Sequence, residues 1–189
     1  MLEENDETPN KLGYCMPTEW EPHEGTWISW PKDPDTFPVG KIRDGAEKTF
    51  SLMIKALQQH EKIFLIVNDA ASEAHVRKKL SEHGVGTNNV IFHNIKSVDV
   101  WTRDYAPIFV KNDEGKVAAI RWIFNAWGNK WEDLLPDNET GNRIAETVEA
   151  SGIRVFRPGI VMEGGSIDTN GKGVFLTTEQ CLLNINRNP

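Results

Sequence analysis

Hydrophobic positions along this chain alternate between two periods, and each change of period marks a new element. After Gly25, residues 26–30 are β-branched or aromatic and predict a strand. Asp44 then predicts a helix start, with Ala46, Phe50, Met53, Ile54 and Leu57 on one face at helical spacing. Residues 62–67, KIFLIV, form an apolar run of strand length and predict a strand buried on both faces. Asp69 or Ser72 caps a second helix that runs to about His83, with Gly84 just past its end. Residues 90–95 predict a further strand, and residues 107–111 and 116–123 flank Asn112-Asp113-Glu114-Gly115 as a hairpin. Residues 124–131 form a loop rich in aromatic and turn residues. A third helix starts at Asn138 or Thr140, turns Ile144 and Val148 inward and closes at Gly152. Residues 153–156 read as a strand, and a second hairpin centres on Asn170-Gly171-Lys172-Gly173. The final stretch, LLNINRNP, offers no closing element, and residues 1–11 read as a disordered tail ahead of one continuous domain over 12–189.

One order of elements occurs twice: helix, glycine, strand, acid-bearing turn, hairpin. The first copy covers residues 71–123 and the second 139–178. In each, a carboxylate precedes the hairpin glycine by about ten residues, Asp104 before Gly115 and Glu163 before Gly173. The strand, helix and strand nearer the N-terminus fit part of a third copy. Units of this kind stack radially, because one unit cannot bury its own face, and equivalent positions then converge on an axis. The expectation is an α/β fold in which Asp104 and Glu163 lie close together.

Composition narrows the partners. The formal net charge of −7 disfavours nucleic acid and anionic membranes, which need clustered Lys and Arg, and it suits a small cationic substrate. Two cysteines, Cys15 and Cys181, make no disulfide framework, and no Cys/His grouping has zinc spacing, so a reducing, cytoplasmic setting without a bound metal is expected. The N-terminal residues lack the apolar core of a signal peptide.

The candidate chemistry centres on DVWTRDYAPIFV, residues 99–110. Aspartate is depleted in strands, so Asp99 and Asp104 call for another reason to be there. Carboxylates beside a flat aromatic suit a planar cation such as a guanidinium, with paired N–H bonds to the carboxylate and the cation stacked on the indole. The same residues fit a structural reading, with Asp104 paired to a nearby cation and Trp101 in the core. Gly164 and Gly165, after Glu163, allow close backbone approach to a ligand or make a simple tight turn. Cys181 sits in an apolar run and reads as a structural thiol. His60, His75 and His83 read as surface residues, His93 lies within a strand, and only His23 has aromatic and acidic neighbours. Trp20, Trp27, Trp30 and Trp101, beside Pro, Gly or charge, either line a pocket or plug the core.

The blocks MPTEWEPHEGTWISWP, DVWTRDYAPIFV, RWIFNAWGNKW, MEGGSIDTNGKG and LTTEQCLLNINRNP, in that order over residues 16–189, resemble the signature blocks of the agmatine deiminase family. That family is related to bacterial-type peptidylarginine deiminases. The resemblance implies a partial pentein α/β propeller, about two complete ββαβ-type units plus part of a third out of five. It implies hydrolysis of agmatine to N-carbamoylputrescine and ammonia through a Cys-linked covalent intermediate, in polyamine metabolism, with no metal or organic cofactor. It makes Asp104 the guanidinium-binding aspartate, Trp101 the aromatic lining the substrate, Glu163 a contact for the substrate and the catalytic histidine, and Gly164 part of the binding wall. Arg103 is expected to pair within the motif.

Two departures stand out. Ala106 replaces a glycine common in the motif, and the family's histidine, second aspartate and nucleophilic cysteine belong to blocks beyond NRNP. The resemblance therefore implies an N-terminal part of such an enzyme, inactive alone. A peptidylarginine or arginine deiminase, or an amidinotransferase of the same fold, is the enzymatic alternative. A non-catalytic half-propeller that binds a cationic ligand or a partner chain is the other. Exposed strand edges in such a half would favour association, including a homo-oligomer.

Overall fold

The computed structural model describes residues 7–189, so residues 1–6 of the tail expected over 1–11 lie outside the described residues, while its last two residues enter a helical turn. Asn10–Leu12 forms one turn of 3-10 helix. The chain divides into two compact units, Pro22–Thr102, and Met1–Glu21 together with Arg103–Pro189.

The unit over Pro22–Thr102 contains β1 (Gly25–Ser29), α1 (Lys41–Leu57), β2 (Lys62–Val67), α2 (Ala70–Glu82) and β3 (Val90–Asn94). Its strands form one parallel sheet in the order β1-β2-β3, the arrangement that helical crossovers permit. Ile63, Leu65 and Val67 of β2 pack with Ile28, Trp30, Ile54, Val76 and Leu80 in the core. Ile66 is buried as well, so both faces of β2 are covered. Asp69 caps α2, its Oδ1 accepting Ser72 N at 2.7 Å.

Asp44 is not a cap. The helix starts behind Gly40, and Asp44 lies inside its first turn, where a carboxylate still complements the helix dipole. The apolar face of α1 packs largely as expected, with Ile54 in the core and Phe50 and Leu57 against it, but Met53 is exposed and the polar Glu47 and Ser51 are buried. Glu47 is held there by its partners. Its carboxylate receives Trp30 Nε1 at 3.3 Å, contacts His75 Nε2 at 2.6 Å and pairs with Lys79 Nζ at 3.3 Å. Burial opposes its charge, yet the bonds from His75, Trp30 and Lys79 outweigh this and hold the carboxyl below its usual range. His75 is thus tied to a buried acid rather than being a plain surface residue.

The second unit is entered within α3 (Thr102–Tyr105) and continues through β4 (Ile108–Lys111), β5 (Val117–Ile120), α4 (Ala126–Asn129), α5 (Asp137–Ala150), β6 (Arg154–Phe156), β7 (Asp168–Thr169), β8 (Phe175–Leu176) and α6 (Glu179–Leu182). β4 and β5 form an antiparallel hairpin, β6 joins β5 in parallel, and β7–β8 is the second hairpin. The pairing continues past β6 as a bridge between Ile123 and Val161. The helix α5 begins at Asp137, ahead of both expected starts, and buries Ile144 and Val148. The short helix α6, where Thr178 Oγ1 accepts Cys181 N at 3.2 Å, shares only Leu182 with the final stretch, and residues 183–189 carry no helix or strand, as expected. No described helix is long and apolar enough to cross a membrane.

Candidate functional site

Within the unit formed by Arg103–Pro189 and the described part of Met1–Glu21, two carboxylates converge. Asp104 sits on the single turn of α3, immediately before Tyr105, whose side chain anchors the turn in the interior. The Asp104 Oδ1 accepts Gly165 N at 3.0 Å, and the Trp127 indole donates to the same carboxylate. Glu163 follows Met162, whose N–H bonds Ile123 O at 3.1 Å and so extends the strand pairing to the edge of the site. Glu163 is 2 % exposed. Its Oε1 lies 2.9 Å from Arg187 Nε, yet the two lack the alignment of a hydrogen bond, and the contact is an ion pair.

Both carboxyls bind their protons more tightly than usual. For Asp104 burial is the main cause, opposed by the Gly165 N–H, the charge of Arg103 and the Trp127 bond. For Glu163 burial again leads, with the negative charge of Asp104 adding to it and Arg187 opposing it. The two acids therefore sense each other. Two like charges near enough to raise each other's proton affinity favour an added cation, because a positive charge relieves both.

The glycines after Glu163 make this approach feasible. A Cβ on Gly164 would stand 2.2 Å from Arg103 O, and one on Gly165 would stand 2.4 Å from Asp104 Oδ1. Gly164 is buried against the backbone of α3, and Gly165 offers its N–H to Asp104. Arg103 does not pair within its motif: its Nη2 bonds Glu19 Oε1 at 2.7 Å at the surface.

The loop that sequence reading left without structure is the main addition. Ala126, Trp127, Gly128 and Asn129 carry φ of 50°, 55°, 85° and 59°, a left-handed turn that costs L-residues roughly 1–2 kcal/mol each. The Asn125 side chain caps the turn by accepting Gly128 N at 2.8 Å. Strain of this kind persists where the surroundings enforce it, and here it delivers Trp127 to Asp104. The turn's entry is fixed from below. Buried Arg121 donates from Nη2 to Asn138 Oδ1 at 2.6 Å, and the same oxygen accepts Phe124 N at 2.9 Å. Burial lowers the Arg121 pKa to about 10. Neither Trp127 nor Arg187 was singled out from sequence; the Trp-Gly-Asn turn residues were the available signal for the first.

The other motif residues belong to the unit over Pro22–Thr102. Trp101 is 43 % exposed, so it is not a core residue, and its Nε1 donates to Asp99 Oδ2 at 2.8 Å. Asp99 is 1 % exposed and also accepts Thr36 Oγ1 and Val100 N, each at 2.8 Å. Its carboxylate is therefore engaged in holding the indole. Trp30 is core, Trp20 is exposed, and Trp27 stacks on Phe64 with His93 alongside. Burial pushes the His93 imidazole below its ordinary range. His23 lies 3.7 Å from Glu61. Cys15 is exposed in a bridge to Lys111, and Cys181 is partly exposed on α6 rather than buried. Among the described residues no group of three or more His, Cys, Asp or Glu could hold a metal ion.

Known proteins with this pattern form a consistent set. The family model described as Porphyromonas-type peptidyl-arginine deiminase matches residues 15–189. The agmatine deiminase of Ectopseudomonas mendocina is 38 % identical over 184 residues, covering 96 % of this chain and 48 % of the relative. The solved structure of the agmatine deiminase of Enterococcus faecalis superposes with a TM-score of 0.80 at 30 % identity, covering 98 % of this chain and 49 % of that one. An agmatine deiminase of C. jejuni gives a TM-score of 0.69 at 26 % identity, over 90 % and 47 % of the two chains. The chain thus spans about half the length of the curated relatives it matches. With nearly every described residue inside the family match, the chain belongs to the Porphyromonas-type peptidyl-arginine deiminase family.

Proposed function

We propose that this chain is the substrate-holding, N-terminal part of an agmatine deiminase. The observation that carries the reading is the convergence of Asp104 and Glu163, two carboxyls with raised proton affinity, one of them almost fully buried. A guanidinium offers a planar cation with paired N–H donors, and carboxylates bind it with charge-assisted bonds. In this reading Asp104 and Glu163 hold the guanidinium with its carbon exposed, and the backbone at Gly164 completes the wall.

Deimination then requires a thiolate to attack the guanidinium carbon and an acid–base group to protonate the departing ammonia and activate water. In this reading both groups come from sequence that corresponds to the other half of the longer relatives. The repeated element order supports a partial five-fold propeller as the frame. The acidic balance supports a small cationic ligand over nucleic acid or an anionic membrane.

The family description keeps peptidyl-arginine as a second substrate class. The test is calorimetric titration of the chain with agmatine, arginine and a peptide ending in arginine, alongside an ammonia-release assay. Agmatine should bind best and no ammonia should appear. Preferential binding of the peptide would transfer the reading to peptidyl-arginine, and no binding of any guanidino compound would refute both.

A further inference from the structure

We propose that Arg187 is a positioning residue for Glu163, seated by the left-handed turn at Ala126–Asn129. The inference rests on the guanidinium-holding role proposed above for Asp104 and Glu163.

The seat is built from three sides. The side chain of Arg187 is 10 % exposed, and its Nε lies 2.9 Å from Glu163 Oε1. Its guanidinium packs on Gly128 so closely that a Cβ there would fall 2.0 Å from Nη1. Gly128 is therefore required twice, for its positive φ and for the space it leaves. The segment carrying Arg187 is fastened by asparagines. Asn125 Nδ2 donates to Asn186 O at 2.9 Å, Asn188 Oδ1 accepts Val161 N at 3.0 Å, and Asn188 Nδ2 donates to Val161 O and Leu182 O, both at 2.9 Å. One loop consequently serves both acids. Trp127 reaches Asp104 directly, and Gly128 admits the arginine that faces Glu163.

The charge arrangement gives this seat its purpose. The groups facing Glu163 are Arg187 and Asp104, and Arg103 in turn faces Asp104. Burial and then Asp104 drive Glu163 towards its neutral form, while Arg187, together with Glu163's own backbone N–H, opposes this. A neutral acid would lose the charge that a cationic substrate needs. Arg187 favours the ionised carboxylate and fixes the direction of its Oε1.

The experiment reads the Glu163 side-chain carboxyl by carbon-detected NMR through a pH titration of the ligand-free chain, in wild type, Arg187→Met, Arg187→Lys and Gly128→Ala. The Glu163 titration should move to higher pH in R187M and in G128A, with R187K close to wild type. Should R187M fail to fold, G128A carries the same comparison, because it displaces the guanidinium without deleting it. An unchanged Glu163 titration in the folded variants overturns the inference. Agmatine titration calorimetry is the second readout. R187M should bind roughly tenfold more weakly at neutral pH, the loss shrinking as pH rises. Equal or tighter binding by R187M would show that Arg187 is neutral towards the ligand or competes with it, and overturns the inference. Failure of wild type itself to bind agmatine would refute the substrate-holding reading and would remove the positioning role with it, even if the Glu163 titration shifted as described.

Discussion

Gly164 and Gly165 are adjacent, and their substitutions should separate. A methyl group on Gly164 meets a backbone carbonyl of α3, which cannot step aside. G164A should therefore destabilise the chain by about 1–3 kcal/mol in urea denaturation. A methyl group on Gly165 meets the Asp104 carboxylate, which can rotate, so G165A should cost less stability and more ligand affinity. Asp104 makes a pH prediction of definite sign. Its carboxyl binds a proton more tightly when folded than at its ordinary value of 3.8, chiefly through burial. Such a group costs stability as pH rises from that value through the folded one. Wild type should thus lose stability relative to Asp104→Asn as pH rises above about 4, as read from denaturation midpoints. Sequence alone singled out both acids and both glycines as candidates. It could not reveal that the glycines press on α3, since that contact joins residues about sixty positions apart.

At the scale of elements, the left-handed turn is the feature least legible in the sequence. Trp and Ala strongly disfavour positive φ, so local preference points away from it, and only the surrounding packing sustains it. Asn125→Ala removes two bonds, to Gly128 N and to Asn186 O, and should cost about 2 kcal/mol in urea denaturation. It should also weaken any ligand that depends on Arg187. The apolar pattern of α1 held at Phe50, Ile54 and Leu57 and missed Glu47 for a related reason. The pattern assumes that burial follows hydrophobicity, whereas buried Glu47 collects Trp30, His75 and Lys79. Glu47→Ala should destabilise by about 1–3 kcal/mol, because it strands those partners. That loss should fade in acid, since Glu47 is held below its ordinary value of 4.5 and stabilises only while ionised. Elements with intrinsic signals were read well: the Asp69 cap, the KIFLIV strand and the first hairpin depend on neighbours close in sequence.

At the scale of the molecule, the recurring order of helix, strand, acid-bearing turn and hairpin survives in the elements α2 to β5 and α5 to β8. The recurrence was visible because each copy repeats the same period changes. Sheet composition was not visible, because strand partners are chosen by tertiary packing: β3 pairs with β2, whereas β6 pairs with β5. Family membership explains why the motifs occur in this order. The central claim is that Asp104 and Glu163 bind a guanidinium together. Calorimetric titration of agmatine into wild type, Asp104→Asn and Glu163→Gln at neutral pH tests it most directly. The account predicts saturable binding to wild type and at least about tenfold weaker binding to each variant, the loss expected for a charge-assisted bond. Binding that is equal in all three proteins, or absent from wild type, would contradict it.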